Sequence, residues 1–342
     1  MSRTIKAAFS ALLAFCFALA FWEAAARIFI LKMPETIKLP GGAPASSGHA
    51  VWSYDGFSRT YFSPEGFRSP YSLPPKGASI LVIGDSFAAA QQVADHETFP
   101  SVAQQILQDK GISTTFFNKG IAGGAPPRYI AYRSDYLLKL NPDLVIVQLD
   151  ERDFTADYPG NRGEFLTPWD GRKFSIEENP RYNKRLSIIS GLPGSKQILS
   201  LSMTSIARRI APVLLGLRKG RSFRGPVKGE LPERTEEYVH WTIKQLKQAY
   251  PEMIIVYVPQ VDYFNPENAP PKLEAFIESA CTENSVALIN ARQDYLELLQ
   301  KQGLISHGFA NTIPGEGHIN KHGHELIGRT LAGVLEERLV KK

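Results

Sequence analysis

Cysteine is nearly absent from this chain. Among 342 residues only Cys16 and Cys281 are cysteines, and Cys16 lies in an apolar N-terminal run. The rest of the chain therefore holds a single thiol, which excludes an intrachain disulfide there and any cysteine-based metal site. Cys281 reads as a small buried hydrophobe. Acidic residues are missing from one long stretch. Between Asn179 and Gly229 there is no Asp or Glu, while eleven Lys and Arg occur between Arg181 and Lys228. The formal net charge of the chain is only +5, so this basicity is local. A long hydrophobic run is also lacking. The longest, from Ala7 to Trp22, has 16 apolar or small residues, short of the roughly 20 that a spanning helix needs. No internal repeat is visible.

What is present begins with a targeting or anchoring segment. A short basic start, MSRTIK, precedes the apolar run, which continues as EAAARIFIL. Glu23 and Arg27 stand four residues apart and can offset each other on a helix. Two readings follow: a cleaved signal peptide with Ala18-Leu19-Ala20 as its A-x-A site, or an uncleaved anchor reaching Leu31. Either puts the rest of the chain outside the cytoplasm, and the anchor reading places it on the periplasmic side of the inner membrane. The chain then divides into residues 1–38 as anchor or signal, 39–75 as linker and lead-in, 76–154 with 232–342 as one α/β domain, and 155–231 as a basic insertion. The linker rests on the Pro/Gly/Ser stretch from Leu39 to Gly48.

The α/β expectation comes from alternation. Apolar runs at Ala78–Gly84, Ser113–Asn118, Asp143–Leu149, Met253–Val258 and Val286–Ile289 read as strands. Helical patterns fall between them, at Thr98–Gln108, Arg128–Leu140, Pro232–Tyr250, Pro271–Ser279, Ala291–Gln302 and Asn320–Val340. This predicts a doubly wound, mostly parallel five-stranded sheet, flavodoxin-like in order. The insertion carries interleaved apolar residues. It reads either as a segment packed on the sheet with a solvated basic rim, or as a surface lying on anionic lipid headgroups or an acidic glycan.

Chemistry-bearing residues cluster at the carboxyl ends of these strands, where open α/β sheets bind ligands. Ser86 follows Gly84-Asp85 at a strand-to-helix bend, a position that suits either a nucleophile or a helix cap. The second strand runs into Asn118, Gly120, Gly123 and Gly124, a loop whose N–H groups can face an oxyanion or simply turn the chain. The third ends in Asp150, Glu151, Arg152 and Asp153, four charges that need solvation or pairing. His318 stands in a glycine-rich loop before the last helix, where it can take a proton from a serine. His318, His322 and His324 also invite a metal reading, disfavoured because few carboxylates are directed there.

The order GDSF, N-x-G-x-x-G, a strand ending in Asp, and GHIN before a final helix resembles the SGNH/GDSL hydrolase superfamily. The likeness is greatest to its membrane-anchored bacterial members, whose layout is matched by Glu23, Arg27 and Gly66-Phe67-Arg68. The resemblance implies Ser86 as nucleophile, His318 as general base, and the N–H groups of Ser86 and Gly123 as oxyanion donors. Two positions depart from the pattern. Arg152 stands where an Asn normally supplies a third oxyanion donor, and Gly315 stands where an Asp normally orients the histidine. Arg152 remains a donor, or pairs with Asp150 or Asp153 instead. Glu316 or a backbone carbonyl is then expected to orient His318. The implied function is an extracytoplasmic serine esterase or O-acyltransferase acting on acyl, principally acetyl, esters of an envelope or surface polysaccharide. No cofactor is needed and no nucleic acid is expected. Expected partners are the acylated carbohydrate, the lipid bilayer and other envelope polysaccharide proteins. The alternative is a catalytically silent glycan-binding or assembly module.

Overall fold

The computed structural model of the protein describes residues 3–25, 48–52, 55–63, 66–68, 75–137, 140–155, 164–180, 231–263, 265 and 271–340. The Glu23–Arg27 pairing and most of the expected insertion, residues 181–230, lie outside them. In chain order the elements are α1 (Arg3–Ala25), β1 (Gly48–Trp52), β2 (Ser58–Phe62), β3 (Ala78–Ile83), α2 (Ser86–Ala89), α3 (Phe99–Asp109), β4 (Thr114–Asn118), α4 (Pro126–Ala131), α5 (Arg133–Leu137), β5 (Leu144–Asp150) and α6 (Arg152–Thr155). Then come β6 (Phe165–Leu166), β7 (Glu177–Glu178), α7 (Thr235–Ala249), β8 (Met253–Val258), α8 (Pro271–Glu283), β9 (Ala287–Asn290), α9 (Arg292–Gln302) and α10 (Lys321–Val340).

The central sheet has five strands in the order β4-β3-β5-β8-β9, every neighbouring pair parallel. In the order of the chain's own parallel strands this is 2-1-3-4-5, the doubly wound arrangement expected. Its strands are apolar runs rather than alternating ones because both faces are covered. Ile80, Val82, Phe116, Ile146, Ile254 and Val256 face one layer, against Phe99, Ala103 and Leu107 of α3 and Ile327, Leu331 and Leu335 of α10. Leu81, Ile83, Phe117, Val145, Val147 and Ile255 face the other, against Val239, Ile243 and Leu246 of α7 and Leu273 and Ile277 of α8. The period of two along each strand thus sorts the core into two halves.

Three expectations need correction. The helix expected over Arg128–Leu140 is two short pieces, α4 and α5. The helix expected to open at Pro232 begins at Thr235, whose N–H and hydroxyl both bond to the Pro232 carbonyl. The stretch read as linker and lead-in, 39–75, carries an antiparallel hairpin, β1–β2, paired from Gly48↔Phe62 to Trp52↔Ser58. In α1 the described apolar side chains, among them Phe9, Leu12, Leu13, Phe15, Phe17 and Phe21, are exposed. Among the described residues no helix is long and apolar enough to cross a membrane.

The hairpin joins the main sheet through Arg68, which bridges Phe62 of β2 on one side and Asn118 of β4 on the other. Its guanidinium is buried and fully employed. It bonds the carbonyls of Ala89 (2.6 Å), Ala90 and Val93 (2.6 Å), and the Asp95 carboxylate at 3.0 Å. Burial pulls its pKa down, and Asp95 opposes that. Asp95 in turn accepts from the Tyr61 N–H of β2 at 3.2 Å. A charge taken from water in this way is tolerated because it is paired and hydrogen-bonded. Arg68→Met should therefore destabilise the fold by about 3–5 kcal/mol, since it strands Asp95 and three carbonyls. Urea unfolding measures this, and a loss below about 1 kcal/mol would mean the contacts are incidental.

Candidate active site

The strand β3 stops at Ile83, and Gly84 turns the chain so that Asp85 caps the one-turn helix α2. The Asp85 carboxylate accepts from the Phe87 N–H at 2.8 Å, and Ser86 is the first helical residue. The capping reading of the Gly-Asp-Ser stretch therefore applies to Asp85 and not to Ser86. The helix ends at once in left-handed Ala90 (φ 49°), whose carbonyl is among those held by Arg68. The Asn118 loop lies against this short helix. Asn118 donates to the Ala88 carbonyl at 2.8 Å and accepts from the Gly120 N–H at 3.0 Å, while the Ile121 N–H reaches the Gly84 carbonyl at 2.9 Å. A Cβ on Gly120 would lie 2.2 Å from the Ala89 nitrogen, so only glycine permits this approach.

Ser86 and His318 come together as expected. The Ser86 Oγ lies 2.8 Å from His318 Nε2 and 3.4 Å from an oxygen of Asp85. The other ring nitrogen, His318 Nδ1, is bonded to Asp55. Asp55 lies in the turn between β1 and β2, 263 residues away along the chain. With Nδ1–H donated to Asp55, Nε2 is left to accept the serine proton. All three side chains are nearly sealed from solvent, with Asp55 2%, Ser86 6% and His318 7% exposed. Phe87 packs against the His318 ring at 5.5 Å between centroids.

No known family profile matches the chain. Over 80 residues, 23% of its length, it is 30% identical to an arylesterase of Vibrio mimicus. That alignment spans about two-fifths (40%) of the relative. Among solved structures, an acetyl xylan esterase overlaps 75% of this chain and 98% of its own, with TM-score 0.43 and 13% identity. A Clostridium thermocellum family 3 carbohydrate esterase overlaps 78% and 98%, with TM-score 0.41 and 12% identity.

Glu316 is not the partner of the histidine. Asp55 occupies Nδ1, and Glu316 Oε2 is buried without a hydrogen bond. Gly123 sits in an exposed, left-handed turn (φ 77°) of the loop that packs on α2. Arg152 opens α6, half-buried, its N–H on Asp150 Oδ1 at 2.7 Å. Asp150 and Asp153 cap each other's backbone: the Asp153 N–H reaches Asp150 at 3.3 Å, and the Asp150 N–H reaches Asp153 at 2.9 Å. Glu151 is fully buried and pairs with Arg292 at 2.9 Å, and Arg292 also holds Glu274. The four charged residues at the end of β5 are therefore mostly internal, and of the two readings, solvation or pairing, pairing holds. His324 is buried, its ring stacked on Phe99 at 6.0 Å.

Two further histidines, both buried, lie near the triad. Burial pushes the His307 imidazole down from its ordinary 6.5 to about 3, with His318 and Arg292 adding to the effect. Burial does the same to His324, reinforced by Arg68. Both are neutral in the fold, whereas the unfolded chain takes up protons below about pH 6.5. The unfolded state then binds more protons, so stability is lost as pH falls from about 6.5 toward 3. The urea midpoint should drop between about pH 7 and 5, and His307→Gln or His324→Gln should flatten that dependence. A midpoint unchanged over this range would show that the buried rings accept protons without unfolding.

Proposed function

We propose that the protein is a serine esterase or O-acyltransferase of the SGNH/GDSL kind, acting on acetyl or similar acyl esters of an envelope or surface polysaccharide. The observation that carries this reading is the continuous hydrogen-bonded line Ser86–His318–Asp55 at the carboxyl edge of a parallel sheet. Supporting it are the order of the Gly-Asp-Ser, Asn118–Gly123 and Gly317-His318 stretches and the partial likeness to an arylesterase. Phe57, two residues beyond Asp55 and 78% exposed, offers a sugar or acyl group an aromatic face at the rim.

The Ser86–His318–Asp55 line and the family resemblance together support the following chemistry. Ser86 Oγ attacks the ester carbonyl while His318 Nε2 takes its proton, and Asp55 stabilises the imidazolium that forms. On the family resemblance, the N–H groups of Ser86 and Gly123, with the Arg152 guanidinium, are the donors to the negative oxygen of the tetrahedral intermediate. Collapse expels the sugar alkoxide, which leaves with the proton from His318, and the acyl group stays on Ser86. Water or a second sugar hydroxyl, deprotonated by His318, then removes it. The first completes hydrolysis and the second acyl transfer. The reaction is placed outside the cytoplasm, with the apolar N-terminal helix as membrane tether; its exposed Phe and Leu side chains support this, since exposed apolar patches mark contact surfaces.

A small activated acetyl ester such as p-nitrophenyl acetate tests the reading. Ser86→Ala should abolish turnover with little change in melting temperature. Asp55→Asn should lower kcat by about 10⁴-fold, whereas Glu316→Gln should leave it near wild type. Arg152→Ala should cost about 100-fold in kcat with little change in KM, and Arg152→Asn should recover part of it. Absence of turnover by the wild-type chain on both acetyl ester and acetylated glycan would instead favour a silent binding module. Recovery of the intact N-terminus in the inner-membrane fraction supports the tether, and a mature chain starting near Phe21 opposes it.

A further inference from the structure

The triad acid is delivered by an unusual support. A two-stranded hairpin is at best marginally stable by itself, and β1 and β2 have five residues each. Arg68 fixes its β2 side, near Phe62, at the far end of the strands from Asp55. The turn itself needs a second fixation, because a shift of about 1 Å in a catalytic group can cost about 100-fold in rate.

Ser58, at the start of β2, donates to the Gln91 carbonyl, and the residue next to Asp55 is held by the loop that carries the histidine. The Asn311 side chain accepts from the Gly56 N–H at 2.9 Å and donates to the Gly56 carbonyl at 3.3 Å. One amide thus satisfies both backbone groups of the residue next to Asp55. Gly56 is left-handed (φ 73°), and a Cβ there would lie 2.5 Å from the Gln92 carbonyl and 2.8 Å from the Phe309 ring. The loop bearing Asn311 is itself rigidly tied to His318. The Gly308 N–H reaches the His318 carbonyl at 2.9 Å, Gly315 closes onto His307 at 2.9 Å, and Asn320 holds the carbonyls of Ile305 and Gly308 at 2.7 and 3.1 Å.

The geometry points to Asn311 as a positioning residue that sets the distance between Asp55 and His318. It acts through Asp55 by docking the hairpin turn on the histidine loop. Its side chain is exposed while Gly56 is buried, so removing it unpairs a buried N–H and carbonyl and costs some stability as well as geometry at the site. The role in turnover rests on the acyl-transfer reading above.

A double-mutant cycle on the full chain tests it, with kcat/KM for p-nitrophenyl acetate as readout. Asn311→Ala should lower kcat/KM by about tenfold or more in the wild-type background, measured well below a melting temperature that falls by a few degrees. In an Asp55→Ala background the same change should cost nothing further, because the residue it positions is gone. Equal losses in the two backgrounds, or no loss in the first, would overturn the assignment. Hydrogen exchange at the Gly56 amide gives a readout independent of activity. Its protection should fall in Asn311→Ala, and unaltered protection would overturn the clamp. A wild-type chain without turnover would count against the esterase reading and would remove the catalytic part of this role, while exchange would still decide the clamp.

Discussion

The two nitrogens of the His318 ring hold together parts of the chain that are otherwise far apart. Nε2 meets Ser86 at the end of β3, and Nδ1 meets Asp55 in the turn of a hairpin that precedes the whole α/β domain. Neither bond is available unless the sheet, the N-terminal hairpin and the C-terminal loop are all in register. Much of the surrounding structure serves that requirement. The sheet buries its strands on both faces and so fixes where β3 ends. Arg68 anchors the hairpin to β4 and to the segment after α2. The Gly308–His318 contact closes the histidine loop.

Arg68 shows how polar groups are spent in this architecture. A buried guanidinium is costly unless paired, and here its bonds go to carbonyls and a carboxylate that the short helix α2 and its left-handed exit would leave orphaned. The buried Glu151–Arg292–Glu274 group does similar work on the other side of the site. It neutralises the charge that follows β5, and Arg292 donates to the Gln260 carbonyl at 3.2 Å. Gln260 in turn donates to the carbonyl of Gly317, next to His318, at 3.2 Å. The histidine loop is therefore held from both sides by hydrogen bonds that start on distant elements.

The sheet was readable because its signal is local. Five apolar runs between helical patterns needed no long-range information, and their ends agree with the observed strands to within one residue at most positions. Ser86 and His318 were singled out because the short stretches that hold them resemble family motifs in the right order. Asp55 carries no such signature. The expectation that the acid lies close to the histidine in sequence directed attention to Glu316, which is two residues away but leaves its buried Oε2 without a hydrogen bond. One signal did exist. Asp55-Gly56 lies between the alternating stretches His49–Trp52 and Ser58–Phe62, and Asp-Gly between such runs is a hairpin mark. Extending the Pro/Gly/Ser linker of Leu39 to Gly48 into a lead-in up to residue 75 hid that pattern. The Glu151–Arg292 pair was beyond reach, since only the parallel pairing of β5, β8 and β9 brings its halves together.

The central claim is that Asp55 holds the proton of His318 Nδ1 while Nε2 faces Ser86. Proton NMR of the folded chain observes that proton directly, because a buried imidazole N–H shared with a carboxylate resonates far downfield of the amides. The account predicts one such resonance, assigned to His318, that survives Glu316→Gln and disappears in Asp55→Ala. A resonance lost with Glu316 and kept without Asp55 would contradict it.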